Sequence, residues 1–318
     1  LFPVNTGYMV STKQPAGTRF GGKSMYDGTN ERMGVRFTFN INKPKSKKKE
    51  KKKDIDDDDT EDKKKDKGPS KDSLTVRIYD ISGKEVRTLF MKVDTAIQRY
   101  YWGFETNGIR RPGSKKPENE TTPPGSISVL PGKYKAVFTY MNTSDSAEFT
   151  VENDPRVEYN MSDLVAVQSM YKELEANISN ATEAMDKVNE AEEKLGIYEK
   201  LIEANKDLEK DSLSKRTKSI KDSIESIKIY LRGKGGLKGI VRREDTYNHH
   251  SGYAQYYIGS AMGSPNSTQR IMAERIERMT NELVSKVNKF LENEWADYQS
   301  YIQKLDFELF KKIEKVKK

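Results

Sequence analysis

The 318-residue chain contains no cysteine. Disulfides, thiolate metal sites and cysteine nucleophiles are therefore excluded. Histidine is nearly absent: the two present, His249 and His250, are adjacent. Neighbouring side chains rarely converge on one metal, and the i, i+4 spacing of helical ligand pairs is missing. No run of about 18 apolar residues occurs, so no membrane span is expected. There is no G-x-S-x-G elbow. "RGKGGLKG" (Arg232–Gly239) follows a helical pattern rather than a strand and lacks the Lys-Ser/Thr of a phosphate loop, so it reads as a helix terminator. Carboxylates abound, but none stand out as an acid and base pair for glycoside cleavage. No cofactor is implied.

What is abundant is charge. Lys, Arg, Asp and Glu make up 33% of the chain and the formal net charge is +8. The 43–72 stretch alone holds thirteen lysines and ten acids in thirty residues, with Ile55 its one aliphatic side chain. Such a stretch buries too little apolar surface to offset the entropy of ordering, and reads as a disordered charged insert. Its Lys blocks open a second reading, a polyanion-binding module. Its "DIDDDDTED" lacks the glycine and terminal glutamate of a calcium loop. Basic residues at Lys215, Arg216, Lys218 and Lys221 share a helix with acids and accompany no nucleic-acid module, which argues against nucleic acid as a partner.

Two periodicities organise the remainder. Before residue 155 apolar residues alternate: Val35, Phe37 and Phe39; Leu74, Val76 and Ile78; Tyr134, Ala136, Phe138 and Tyr140; Ala147, Phe149 and Val151. That is the period of half-buried strands, broken by turns at Gly83 and Pro131-Gly132. Beyond it the spacing becomes helical. Tyr171, Leu174, Ile178, Ala181, Met185, Val188 and Leu195 form one stripe, Ile220, Ile224, Ile227 and Leu231 a second, and Ile276, Met279, Leu283, Val287, Phe290, Leu291, Tyr298, Ile302, Leu305, Leu309 and Ile313 a third. Stripes this narrow call for helices that pack on one another. Ser162 or Asp163, and then Ser264 with Pro265, are the expected N-terminal caps.

The fold class expected is α+β with separate all-β and all-α parts. Residues 1–155 form an immunoglobulin-like antiparallel sandwich carrying the insert at 43–72. Residues 156–318 form a long antiparallel three-helix bundle, with helices about 162–209, 211–232 and 265–317 and a loop at 233–264. The candidate interaction residues are Trp102, which also reads as a core anchor like Trp295, and the loop residues Tyr247, His249, His250, Tyr253, Tyr256 and Tyr257. Tyrosines in such number either pack the loop on the bundle or offer an aromatic platform, for example to a carbohydrate. Glu244 and Asp245 beside the histidines make a weak metal site conceivable.

The stretches "LTVRIYDISGKEVRTL", "RYYWGFETNG" and "VLPGKYKAVFTY" resemble the immunoglobulin-like domains of bacterial extracellular proteins, including that of the flagellar hook-capping protein, with Gly83, Trp102, Pro131 and Gly132 in matching places. The order of parts, from "LFPVNTGYMVS" through the sandwich and the "DPR" of Asp154–Arg156 to a helical tail, resembles the C-terminal region of bacterial sortilin-like proteins. Those begin with a β-propeller of BNR-type repeats and are often labelled glycosyl hydrolases. With no initial Met and no charged-then-apolar leader, Leu1 reads as a cut end of a longer protein, and the resemblance implies that this protein is secreted or of the envelope and that this region is structural and non-catalytic. It would dock on the N-terminal propeller of the same parent chain and present a helical stalk to another protein or a second copy. An accessory role in a hydrolase whose site lies in the missing propeller is the alternative. No propeller repeat is present in the sequence, so no propeller activity carries over.

Overall fold

The computed structural model describes residues 1–10, 32–42, 73–204, 210–236, 243–261 and 263–305. The charged insert at 43–72 lies outside the described residues. The chain is of mixed α and β content and divides into two compact units, residues 1–108 with 117–165, and 109–116 with 166–318. The division falls within the first turns of the first helix rather than at 155/156.

Among the described residues the first unit contains nine strands: β1 (Gly7–Met9), β2 (Val35–Ile41), β3 (Ser73–Asp80), β4 (Glu85–Lys92), β5 (Ala96–Trp102), β6 (Glu105–Asn107), β7 (Gly125–Ser128), β8 (Gly132–Tyr140) and β9 (Thr143–Asn153). Five form a sheet in the order β1-β9-β8-β3-β4, while β2 pairs with β5 and β6 with β7. All are antiparallel pairings except β1 with β9. The alternation read in the sequence is realised directly. Val35, Phe37, Phe39 and Ile41 of β2 share one buried core with Leu74, Val76, Ile78, Ala136, Phe138, Phe149 and Val151. The turn after β3 needs Gly83 at φ +80, where a side chain would be strained, and the Asp80 carboxylate accepts from the Ser82 and Lys84 amides at 2.9 and 3.0 Å.

The outer edge of β4 is closed by side chains. Asn107 Oδ1 accepts from the Thr88 amide and Thr122 Oγ1 from the Phe90 amide, each at 2.9 Å. Arg87 is buried behind them and donates to the Pro123 and Pro124 carbonyls at 2.9 Å, with Glu105 at 3.7 Å. A buried guanidinium has to be compensated in this way. After β9, Asp154 turns the chain. Its carboxylate accepts from the Arg156 backbone at 3.0 Å and from the Arg156 guanidinium. These bonds hold the carboxyl down at about 2.

The helices are α1 (Met161–Ala204), α2 (Lys210–Arg232), α3 (Tyr247–Gly259), α4 (Ser267–Lys289), a π-helical turn (Phe290–Trp295) and α5 (Ala296–Gln303). Every apolar position singled out in the first two stripes is buried. Glu192 pairs with Lys228 at 2.5 Å and Glu199 with Lys221 at 2.6 Å, so advancing along α1 means going back along α2. Phe290 of the third stripe and Trp295, which lies outside that stripe as read, are five positions apart yet both buried, with ring centroids 6.3 Å apart. An α-helix would turn one of them out. The wider π turn takes up the extra residue and keeps both on the same side.

The caps fall elsewhere than expected. Asn160, not Ser162 or Asp163, accepts from the Ser162 amide at the start of α1. Asn266, not Ser264, caps α4, and Gln269 completes a reciprocal capping box. The last helix is described to Gln303, and residues 306–318, with Leu309 and Ile313, lie outside the described residues. A larger correction concerns 233–264, read as a loop: it contains the 13-residue α3. Residues 109–116 belong to this unit as well. Arg110 makes a two-pronged ion pair with Asp186, and Thr182 donates to the Arg110 carbonyl at 3.0 Å. Gly113, at φ +79, lies so close to α2 that a Cβ there would be 2.8 Å from Leu231.

Candidate functional site

Of the seven candidate residues, Trp102 stands apart. It is fully buried in the β core, its indole N–H donates to the Glu105 carbonyl at 2.9 Å, and Phe104, Tyr134 and Phe149 surround it. It is a core anchor and offers no surface. The other six lie on α3, which the structure makes a helix for a legible reason. Thr246 caps its start, accepting from the His249 amide, and Tyr247, Ser251, Ala254 and Ile258 recur at helical spacing and are buried. The alternation of tyrosines hides this small-residue stripe in the sequence.

Tyr247 belongs to that buried stripe. Its hydroxyl is 2.8 Å from Thr280 Oγ1 of α4, and burial pushes its pKa up to about 12. The remaining five lie outside that stripe, with His250 at its border towards α4. His249 and Tyr253 rings are 4.6 Å apart, and Tyr253 and Tyr257 6.0 Å apart and stacked. Tyr256 meets Tyr257 edge-on at 5.4 Å, and His250 meets His249 edge-on at 5.7 Å. The i, i+4 spacing of 249, 253 and 257 produces this ladder. Tyr253, Tyr256 and Tyr257 are 50%, 69% and 43% exposed. Beneath them the helix is fastened: Gln269 of α4 donates to the Tyr257 carbonyl at 2.8 Å.

Arg275 of α4 joins the site, a residue that sequence reading missed because it lies in another helix. Its guanidinium is 3.5 Å from His250 Nδ1. Burial first, then Arg275 and His249, pull the His250 pKa below the ordinary imidazole value, with Asp245 opposing. His250 is therefore held neutral at pH values where a free histidine begins to charge. Glu244 and Asp245 precede the helix, but among the described residues no group of three His, Asp or Glu side chains is placed to hold a metal ion.

The rings lean on one another at 4.6 to 6.0 Å and still expose much of their surface, hydroxyls included. Tyrosine, apolar in body and polar at its tip, is enriched at protein interfaces. Elsewhere in the unit a groove of about 430 Å³ opens between the end of α1 and the start of α2, but its Glu199 and Lys221 already pair. No described helix is long and apolar enough to cross a membrane. Compared with protein-family models, curated proteins and solved structures, the chain matches none.

Proposed function

We infer that the chain is a non-catalytic interaction region, with the α3 ring ladder as its contact face for another protein. The observation that carries this is the exposure of three tyrosines on a helix locked from below by Tyr247, Ile258 and Gln269. A rigid aromatic surface loses little conformational entropy on binding, which is why tyrosine is favoured at contact sites. In finer terms the β unit is an immunoglobulin-like sandwich. The shared core of β2 with the five-stranded sheet supports that reading. The helices form an antiparallel three-helix bundle, in favour of which stand the α1–α2 ion pairs and the contacts of α2 with α4 and α5, among them the 2.9 Å contact of Thr217 with the Tyr298 hydroxyl.

The setting is that of the sortilin-like resemblance: a C-terminal region, outside the cytoplasm, docked on a propeller of the same parent chain. The sequence alone supports this part, and the Asp154–Arg156 corner gives its "DPR" a physical role.

Two measurements test the reading. A photoreactive phenylalanine analogue replacing Tyr256 in the natural protein is expected to crosslink to a second protein, and the product to vanish when Tyr253 and Tyr257 are changed to Ala. Crosslinking unaffected by those changes, or absent, defeats the contact face. The endogenous chain is expected to be several times heavier than 36.5 kDa and outside the cytoplasm. A free cytoplasmic chain of about that mass defeats the setting.

A further inference from the structure

The β2–β5 ribbon has an edge whose chemistry the register defines. In an antiparallel ladder, facing residues alternate between pairs that exchange both backbone hydrogen bonds and pairs whose N–H and C=O groups point away from each other. The Thr38 carbonyl accepts from the Phe2 amide at 2.9 Å, so it points away from β5. Thr38 faces Arg99. That pair is therefore of the second kind, and so by alternation are Asn40 with Ile97 and Arg36 with Tyr101, in a register without a bulge. On the far side of β5, the N–H and C=O groups of Ile97, Arg99 and Tyr101 all point outward. Among the described residues none of these groups has a backbone partner.

The contrast with β4 is specific. There the outward amides of Thr88 and Phe90 are each capped by a side chain. Natural sheets blunt edges that are to stay unpaired. Among the described residues β5 carries no such side-chain cap on its evenly spaced outward donors and acceptors, and its edge charge is the cation of Arg99, which disfavours a basic strand but not an acidic one. Beside this edge the Ile97 side chain is 63% exposed, Arg99 is exposed and Tyr101 half-buried, and the Arg32 guanidinium sits 5.6 Å over the Tyr101 ring.

We propose that the β5 edge takes up an extended strand of a partner protein, by backbone pairing to Ile97, Arg99 and Tyr101, with a carboxylate of that strand set against Arg99. Backbone groups of this spacing are satisfied by an extended main chain. A second copy of this chain is the poorer occupant. Pairing β5 with itself across all three residues sets Arg99 directly opposite Arg99, and like charges there are destabilising. Arg99 and Arg32 instead complement an acidic strand. The site lies on the β unit and stands or falls separately from the α3 face.

Backbone amide hydrogen exchange on the full chain tests this. In the free protein the Ile97, Arg99 and Tyr101 amides are expected to exchange faster than those of Gln98 and Tyr100, which bond to β2. The probe is a soluble seven-residue peptide, Thr-Glu-Val-Glu-Val-Glu-Thr with blocked ends, and its control carries Lys for each Glu. The acidic peptide is expected to slow the three outward amides on the order of tenfold, the basic one not at all. Arg99→Glu is expected to reverse that preference. Outward amides already slow in the free chain, no slowing by the acidic peptide, or equal slowing by both peptides would overturn the proposal. The wild-type measurement is decisive whether or not the variant folds.

Discussion

Two sets of aromatic rings in this protein are alike in chemistry and opposite in fate. In the β unit Phe37, Trp102, Tyr134, Phe138 and Phe149 interlock with centroids between 5.4 and 6.0 Å apart, and all are buried. On α3 the rings of His249, Tyr253, Tyr256 and Tyr257 are spaced much the same, yet the three tyrosines stand in solvent. Ring density does not decide burial. In the strands, a period of two sends every second ring to the face that another layer covers. On α3 the covered face is already filled by Tyr247, Ser251, Ala254 and Ile258, so rings two and six residues beyond Tyr247 fall outside.

Substitutions in the two ring clusters should have unequal consequences for stability. Trp102→Ala should cost about 3–5 kcal/mol, since it removes a large side chain with no room for collapse. Urea unfolding of the variant measures this, and a loss below about 1 kcal/mol would mean that the ring is not the anchor described. Tyr247→Phe keeps the ring but removes its 2.8 Å hydrogen bond with the Thr280 hydroxyl, which retains only its longer bond to the Asn177 carbonyl at 3.4 Å, and should cost about 1 kcal/mol in the same assay. Tyr253→Ala and Tyr257→Ala should each stay within about 0.5 kcal/mol of the parent, because their rings remain wet when folded. A larger loss would move the ladder from surface to core.

Two smaller effects concern pH. The folded Asp154 carboxyl, at about 2, lies below the ordinary value near 4. The stability it contributes is present above the ordinary value and is lost as pH falls from about 4 towards 2. Asp154→Asn should flatten the acid limb of a stability-against-pH curve in that window, and an unchanged limb would sever the carboxylate from the corner. His250 is also shifted down, so it too contributes stability that is present above the ordinary imidazole value near 6.5 and fades as pH falls below it. His250→Asn should remove that slope, the smallest change of the set, as read by thermal unfolding between about pH 7 and 5.

Much of the candidate site was legible one residue at a time but not as a surface. The cluster from Tyr247 to Tyr257 stands out by composition. Its helical form was hidden because the buried stripe is made of Ser251, Ala254 and Ile258, of which only the last is strongly apolar. Arg275 was out of reach, since it joins the site from α4. Trp102 was legible as an anchor, because an aromatic in an alternating strand has a covered face waiting for it. The π turn was not legible, because the third stripe as read steps from Leu291 to Tyr298 and passes over Trp295.

The sequence by itself determined the α+β class, the strand faces, and the apolar stripes of the long helices, because periodicity is a local consequence of backbone geometry. It took the tertiary structure to show which aromatic cluster is core and which is surface, that residues 109–116 pack on the helices, and that among the described residues the β4 edge is capped by side chains while the β5 edge is not. Those outcomes depend on side chains brought together from distant positions, such as Asn107 at Thr88 and Arg110 at Asp186, and no local period encodes such meetings.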